Sequence, residues 1–166
     1  MATTADVPAP VAAVKPRVIV LALDASPQSE RALNWCLEHI SKDSDHLVVV
    51  TALKPVIPQT AMDFYVGTDT AALEAEVEKR CITDVKKTVA EARAKYHRHV
   101  EVTIKVVWSD PRDALMDTIN QTHADMIVLG SRGRSNISGM LLGSVSNYIL
   151  HHSQAPVIVV RDPSEK

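Results

Sequence analysis

The sequence has no excess of charge and no long apolar run. Its formal net charge is -2 over 166 residues, so it has no overall positive field that would attract nucleic acid or an anionic membrane. The longest apolar runs, such as Val18–Leu23 and Leu47–Val50, fall far short of the ~18 residues that indicate a membrane span. We therefore expect a soluble, cytoplasmic protein without nucleic-acid or membrane partners.

Cysteine is also scarce. The only two cysteines, Cys36 and Cys81, each lie in a segment with apolar periodicity. This placement is typical of buried thiols in a reducing compartment and argues against a disulfide framework. The first residues lack a basic region followed by an apolar stretch, so a secretory signal is not expected. We interpret residues 1–16 as a flexible N-terminal tail and residues 163–166 as a C-terminal tail, on one domain that spans residues 17–162.

What the sequence does contain is an alternation between short β-branched runs and longer segments with helical spacing. Hydrophobic residues make up 46% and charged residues 23%, as in ordinary globular domains. Strands that alternate with helices are typical of a parallel sheet flanked by helices. We predict an α/β fold with five strands, at Val18–Leu23, Leu47–Leu53, Val100–Val107, Met126–Leu129 and Val157–Val160.

Helix start signals separate these strands. Ser26 followed by Pro27 is a capping residue before a first-turn proline, and it predicts a helix that ends near Ser41. Asp110 followed by Pro111 predicts a second start of the same kind. Two further helices are predicted from near Thr70 to Tyr96 and over roughly Leu142–His151, and residues 54–69 form a long connection of the kind that often covers a site.

Glycine is rare and concentrated in one place. Four of the five glycines, Gly130, Gly133, Gly139 and Gly143, fall within fourteen residues between a predicted strand and a predicted helix. A glycine-rich loop that enters a helix can direct several N–H groups at a phosphate, and the helix N-terminus adds a partial positive charge. The alternative is that these glycines only form a tight turn and a bend, and the cluster alone leaves both interpretations open.

Several familiar sites do not fit the sequence. No lysine precedes Ser144, so the G-x-x-x-x-G-K-[ST] pattern of P-loop NTPases is excluded. The dinucleotide pattern G-x-G-x-x-G is absent, and Leu129 stands where a G-x-S-x-G hydrolase has a glycine before Ser131. Histidines such as His151 and His152 lie at predicted helix ends, where imidazole interacts with the last carbonyls, so we assign them to no metal site.

The spacing within the glycine cluster is specific. Gly130, two residues, Gly133, nine residues, then Gly143 and Ser144 resembles the loop of ATP-binding members of the universal stress protein family. The likeness extends over residues 17–161 and includes V-L-A-L-D-A-S at residues 20–26. It implies a Rossmann-like fold of the adenine nucleotide alpha hydrolase type, with a single open five-stranded parallel sheet in the order 3-2-1-4-5. Strands 1 and 4 are then neighbours whose connections leave to opposite faces, which creates a ligand crevice at their carboxyl ends.

The same resemblance implies which residues bind ATP and Mg²⁺. Asp24 would contact the ribose or hold the metal ion, and Arg132 would supply a cation. The hydroxyl groups of Ser131, Ser144 and Ser146 are able to donate to phosphate oxygens. The complete expected site comprises the main chain of Ala22 and Ala52 beside the nucleoside, Leu129 and Gly130 over the ribose and α-phosphate, and Gly133, Gly143, Ser144, Val145 and Ser146 around the phosphates.

The function that the resemblance implies is an ATP-binding regulatory or signalling module of the stress response, with AMP or ADP as further ligands and slow hydrolysis at most. Two alternatives stay open: a weak ATPase or phosphotransferase that uses the same pocket, and a nucleotide-free dimeric interaction protein. The last strand, residues 157–160, is apolar and would leave an unpaired edge in a monomer. We therefore expect a homodimer that pairs through this edge.

Overall fold

The computed structural model describes residues 15–54, 70–133 and 142–161. Residues 1–14 and 163–166 of the predicted tails, residues 55–69 of the predicted connection, and Gly139 lie outside these ranges. Within them, no helix has the length and apolar character needed to cross a lipid bilayer.

The described residues form one five-stranded parallel sheet in the order β3-β2-β1-β4-β5, which confirms the predicted fold class and strand order. Each strand end lies within one residue of the prediction. The three inner strands of the sheet are largely apolar and mostly buried because helices cover both faces of the sheet. The strands are β1 (Val18–Ala22), β2 (His46–Leu53), β3 (Glu101–Trp108), β4 (Met126–Gly130) and β5 (Val157–Val160).

The helices divide between the two faces of the sheet. The described helices are α1 (Pro27–Trp35), which continues into a π-helical turn at Cys36–Ile40, α2 (Thr70–Lys95), α3 (Pro111–Thr122) and α4 (Ser144–His152). One apolar core lies beneath α1 and α2, where Leu33 and Val89 are buried. A second lies beneath α3 and α4, where Leu115 and Ile149 are buried. The predicted helix starts at Pro27 and Pro111 are confirmed.

The two cysteines differ in their surroundings. Cys36 is fully buried at the start of the π-helical turn, and this burial raises the pKa of its thiol to about 12. Cys81 is half-buried on α2, and neither cysteine forms a disulfide. The expectation of buried thiols therefore holds for Cys36 and only partly for Cys81.

Candidate functional site

The candidate site lies at the carboxyl edge of the sheet, between β1 and β4. These neighbouring strands pair in parallel, but the helix after β1 packs on one face of the sheet and the helix after β4 packs on the other. Open α/β sheets bind ligands at such a switch point. A cavity of about 400 Å³ opens here on the α3 and α4 side, a volume in the range of small-molecule sites.

Apart from Ser131, all the residues that the sequence proposed for the site line this cavity. They come from four separate segments of the chain, which the parallel sheet brings to one edge. They are Ala22, Asp24, Ala52, Leu129, Gly130, Arg132, Gly133, Gly143, Ser144, Val145 and Ser146.

Asp24 is held in place by the turn that leads into α1. Ala25 has a left-handed backbone (φ 59°), which turns the chain sharply after β1. One carboxylate oxygen of Asp24, Oδ1, accepts hydrogen bonds from the Ser26 hydroxyl and from the Ser26 N–H at 3.1 Å. The Asp24 N–H donates to Ser29 Oγ at 3.2 Å. The carboxylate therefore has a defined orientation at the end of β1.

The second carboxylate oxygen of Asp24 meets the glycine loop. A Cβ atom at Gly133 would lie 2.5 Å from Asp24 Oδ2, a distance at which the carboxylate would have to move. Glycine at this position lets the loop and the carboxylate approach each other closely. Gly133 thus belongs to the candidate site itself.

Gly130 has a different role, although it belongs to the same motif. A Cβ atom there would lie 2.9 Å from both the carbonyl carbon and the carbonyl oxygen of Gln28. These are main-chain atoms of α1, which cannot move without shifting the helix. Gly130 therefore allows α1 to pack closely against β4.

The N-terminus of α4 is open towards the cavity. Gly143 is the N-cap and supplies no side-chain hydrogen bond, and no acidic residue lies in the first turn. The Gly143 N–H donates to the Ser131 carbonyl at 2.7 Å, and the Asn147 N–H makes the first bond of the helix, to the Gly143 carbonyl. The N–H groups of the three intervening residues have no acceptor within the helix. These N–H groups and the helix dipole form a site that favours an anion.

The serine hydroxyls differ from the sequence-based expectation. Ser146 Oγ donates to the buried Gly130 carbonyl at 2.8 Å, so this hydroxyl joins α4 to β4, and the N–H of Ser146 is what remains for a ligand. Ser131 is buried and is not among the residues that line the cavity. Ser144 is exposed at the start of α4. Of the three serine hydroxyls, only that of Ser144 lies where the sequence predicted.

Three charged residues at the mouth of the cavity were not predicted as site residues: Lys54, Asp110 and Arg112. Asp110 caps α3 by accepting from the Arg112 N–H at 2.9 Å, and it also accepts from the Arg112 side chain at two positions, each at 2.9 Å. The side-chain bonds from Arg112, then the main-chain bond, and to a small extent the charge of Lys54 lower the pKa of Asp110 to about 2. The pairing of Leu53 with Trp108 explains why residues just beyond β2 and β3 meet here.

The inner end of the cavity is apolar. Ala22, Val50, Ala52 and Leu129 come from the ends of the strands, and Leu115 comes from α3. Small and aliphatic side chains of this kind suit a flat, largely apolar ring, whereas the glycine loop and the N-terminus of α4 suit an anion. The arrangement therefore accommodates a ligand with an apolar ring at one end and an anionic group at the other.

Comparison with known proteins identifies close relatives. The profile of the universal stress protein family matches residues 16–161. A universal stress protein of Mycobacterium tuberculosis is 32% identical over 146 residues, which cover 86% of this chain and 45% of that protein. The chain spans less than half the length of the first curated relatives that it matches.

Solved structures share the fold. UspA from Lactobacillus plantarum is 20% identical with a TM-score of 0.65, and the match covers 90% of this chain and all of that one. A universal stress protein crystallised in complex with cAMP is 25% identical with a TM-score of 0.58, and the match covers 89% of this chain and 98% of that one.

Proposed function

The chain belongs to the universal stress protein family, and from this premise we propose that it is a regulatory module of the stress response that binds ATP with Mg²⁺ at the carboxyl ends of β1 and β4. The observation that carries the proposal is the uncapped N-terminus of α4, which faces a cavity lined by the three glycines and the serine that define the G-x2-G-x9-G-S motif. AMP and ADP are expected to compete for the same site.

The phosphate groups would lie at the start of α4. The N–H groups of Ser144, Val145 and Ser146 have no acceptor within the helix, and an anion placed there also gains from the helix dipole. Arg132 lines the same part of the cavity, and its guanidinium is suited to charge-assisted bonds with phosphate oxygens. The proposal assigns the phosphates to this end of the site for these two reasons.

Asp24 would hold Mg²⁺ together with the phosphates. The donor set fits this ion, because Mg²⁺ is usually bound by one or two carboxylates, by phosphate oxygens of the ligand and by water rather than by an all-protein cage. The described residues contain no cluster of three or more metal-binding side chains, which is consistent with an ion that arrives with its nucleotide. When bound, Mg²⁺ would neutralise phosphate charge, and Asp24 Oδ2 would face it beside Gly133.

The nucleoside would occupy the apolar end, between Ala22, Ala52 and Leu129. A related protein was crystallised in complex with cAMP, and this supports an adenine nucleotide as the ligand. Alanine side chains offer no hydrogen-bonding group, so the main chain at the ends of β1 and β2 would recognise the base edge.

We further propose that the chain acts as a binding module with little turnover. Asp24 is already oriented by Ser26 and would be committed to the metal ion, which leaves it poorly placed to activate water. We also propose that residues 17–162 form the nucleotide-binding domain and that two copies pair through β5, which lies at one edge of the sheet. Cys36 and Cys81 form no disulfide, which supports a cytoplasmic location.

The proposal is tested by placing a carboxylate where the phosphates would lie. In Ser144→Asp the new carboxylate lies at the first position of α4, where it interacts favourably with the helix dipole. The melting temperature should therefore stay the same or rise, whereas calorimetric affinity for ATP-Mg²⁺ should fall at least about tenfold. Gln154→Glu is the matched control, because it makes the same change in charge at an exposed position beyond the other end of α4 and should bind ATP as the wild type does.

Three results would count against this proposal. Equal ATP affinity in Ser144→Asp and the wild type would remove the start of α4 from the site. No binding heat and no melting shift in the wild type at millimolar ATP-Mg²⁺ would favour the nucleotide-free interaction protein, since a ligand of the native state must stabilise it. Phosphate release that survives purification and is lost in Asp24→Asn would favour the weak ATPase.

A further inference from the structure

A second cavity adjoins the proposed nucleotide site. Its volume is about 730 Å³, and it runs along the outer side of α4. Two of its residues, Arg112 and Ser144, also line the first cavity, so the two cavities meet at the start of α4. The second cavity is lined by Arg112, Leu142, Ser144, Asn147, Tyr148, His151 and His152.

None of the residues that line the second cavity is acidic. Arg112 is cationic, and the imidazole rings of His151 and His152 each carry a ring N–H. Arg112 donates to Asp110 through Nε and one terminal nitrogen, and its guanidinium has a second terminal nitrogen with further N–H groups. The surroundings are therefore suited to an anion.

Three polar residues of this cavity follow one line along α4. Ser144, Asn147 and His151 are separated by three and then four positions, so they lie on the same face of the helix. Ser144 stands at the N-terminus, where the phosphates of ATP are proposed to lie. A chain of phosphates that continued past Ser144 would meet Asn147 and His151 in turn.

The aromatic ring in the cavity is not available to a second base. Tyr148 stacks on His152 with ring centroids 4.0 Å apart and an angle of 14°. The Arg112 guanidinium lies over the Tyr148 ring at 5.5 Å from its centroid, and because the imidazole covers one face of the ring, the guanidinium must lie over the other. Stacking of another aromatic ring is therefore disfavoured.

We infer that the second cavity binds the distal phosphates of a nucleotide whose polyphosphate chain is longer than that of ATP. The inference rests on the proposed function, because the adenosine and the first phosphates must occupy the first cavity. Ser144, Asn147 and His151 provide the path, and Arg112 flanks the junction between the cavities.

The probes are ATP, adenosine 5′-tetraphosphate and diadenosine tetraphosphate, each with Mg²⁺, measured by calorimetry on the full chain. Adenosine tetraphosphate should bind about five- to tenfold more tightly than ATP, which corresponds to one additional hydrogen bond of ordinary strength. Diadenosine tetraphosphate should bind no more tightly than adenosine tetraphosphate. Tighter binding of the dinucleotide would overturn the assignment to phosphate in favour of a second nucleoside.

A double variant separates the second cavity from the first. Asn147→Ala combined with His151→Ala should remove the advantage of the tetraphosphate and leave ATP affinity unchanged. His99→Ala, an exposed histidine outside both cavities, is the control and should keep the advantage.

The failures of the two proposals differ. If the wild type binds ATP and adenosine tetraphosphate equally, or if the double variant weakens both by the same factor, the inference is overturned and the proposed function stands. If the wild type binds neither nucleotide, the proposed function fails and the inference fails with it.

Discussion

Two helices begin side by side at the carboxyl edge of the sheet, and their first turns are completed in opposite ways. At the start of α1, Ser26 Oγ accepts from the Ser29 N–H at 3.2 Å, and Glu30 adds an acidic group to the first turn. At the start of α4, Gly143 provides no side-chain cap and the first turn has no acidic residue. The chain thus caps the N-terminus of α1 with its own side chains and leaves that of α4 without a side-chain cap.

The start of α3 follows the pattern of α1. Asp110 accepts from the Arg112 N–H, and Asp113 lies in the first turn. The residues before α2 lie outside the described ranges, so the comparison covers α1, α3 and α4. Among these three, only α4 directs uncapped N–H groups at the cavity, which is why we place the phosphates there.

The largest change in stability is expected from Gly130→Ala. This variant tests whether the glycine at position 130 is needed for helix packing or for ligand binding. The new methyl group would press on the main chain of Gln28 and should lower the free energy of unfolding by about 1–3 kcal/mol. Chemical denaturation measures this change. The folded fraction should still bind ATP-Mg²⁺ nearly as tightly as the wild type.

Gly133→Ala should weaken ATP binding and leave the stability of the fold nearly unchanged. Its methyl group would meet the end of the Asp24 side chain, which can move, so the free energy of unfolding should change by less than about 0.5 kcal/mol. The affinity for ATP-Mg²⁺ should fall about tenfold, because Asp24 leaves its place beside the phosphates. The distinction between a structural Gly130 and a ligand-site Gly133 is wrong if both variants lose the same free energy of unfolding, or if Gly133→Ala binds ATP as tightly as the wild type does.

The smallest effect is expected at the cap of α3. The pKa of Asp110 in the folded state is about 2, below the usual unfolded value of about 3.9, so its ionised form stabilises the fold above pH ~4, and this stabilisation is lost as the pH falls towards 2. Asp110→Asn keeps a capping oxygen but removes the charge. The side chain of Asp110 is 39% exposed, so solvent screens its charge. At pH 7 the free energies of unfolding of the wild type and Asp110→Asn should therefore differ by at most about 1 kcal/mol.

Urea unfolding of the wild type and Asp110→Asn at several pH values checks this prediction. The difference between their free energies of unfolding should decrease as the pH falls below about 4.5. A difference that is constant from pH 7 to pH 3 would show that the charge of Asp110 contributes nothing to the cap.

Much of the fold could be predicted because its signals are local. Alternating apolar runs located the strands, and Ser26-Pro27 and Asp110-Pro111 located two helix starts. The strand order came from the family resemblance, since periodicity carries no information on which strands are neighbours. The π-helical turn at Cys36–Ile40 has no signal that we recognised in the sequence.

The site was predicted at the level of positions but not of contacts. The glycine spacing identified the loop, yet it could not reveal that Gly130 faces Gln28 whereas Gly133 faces Asp24. Nor could it reveal that the Ser146 hydroxyl donates a hydrogen bond to the Gly130 carbonyl. Lys54 and Asp110 line the same cavity because of the register between β2 and β3. In the sequence, the local capping motif is a sufficient explanation for Asp110, and nothing there indicates that Lys54 lies near it.

The most direct test of the central claim follows the amide N–H signals of the chain by NMR during titration with ATP-Mg²⁺. We predict that the signals of Ser144, Val145 and Ser146 shift saturably, with one dissociation constant that agrees with calorimetry, while the capped first turn of α3 at Asp113 responds much less. ATP binding that leaves the signals of these three residues unchanged would contradict the claim that the open start of α4 holds the phosphates.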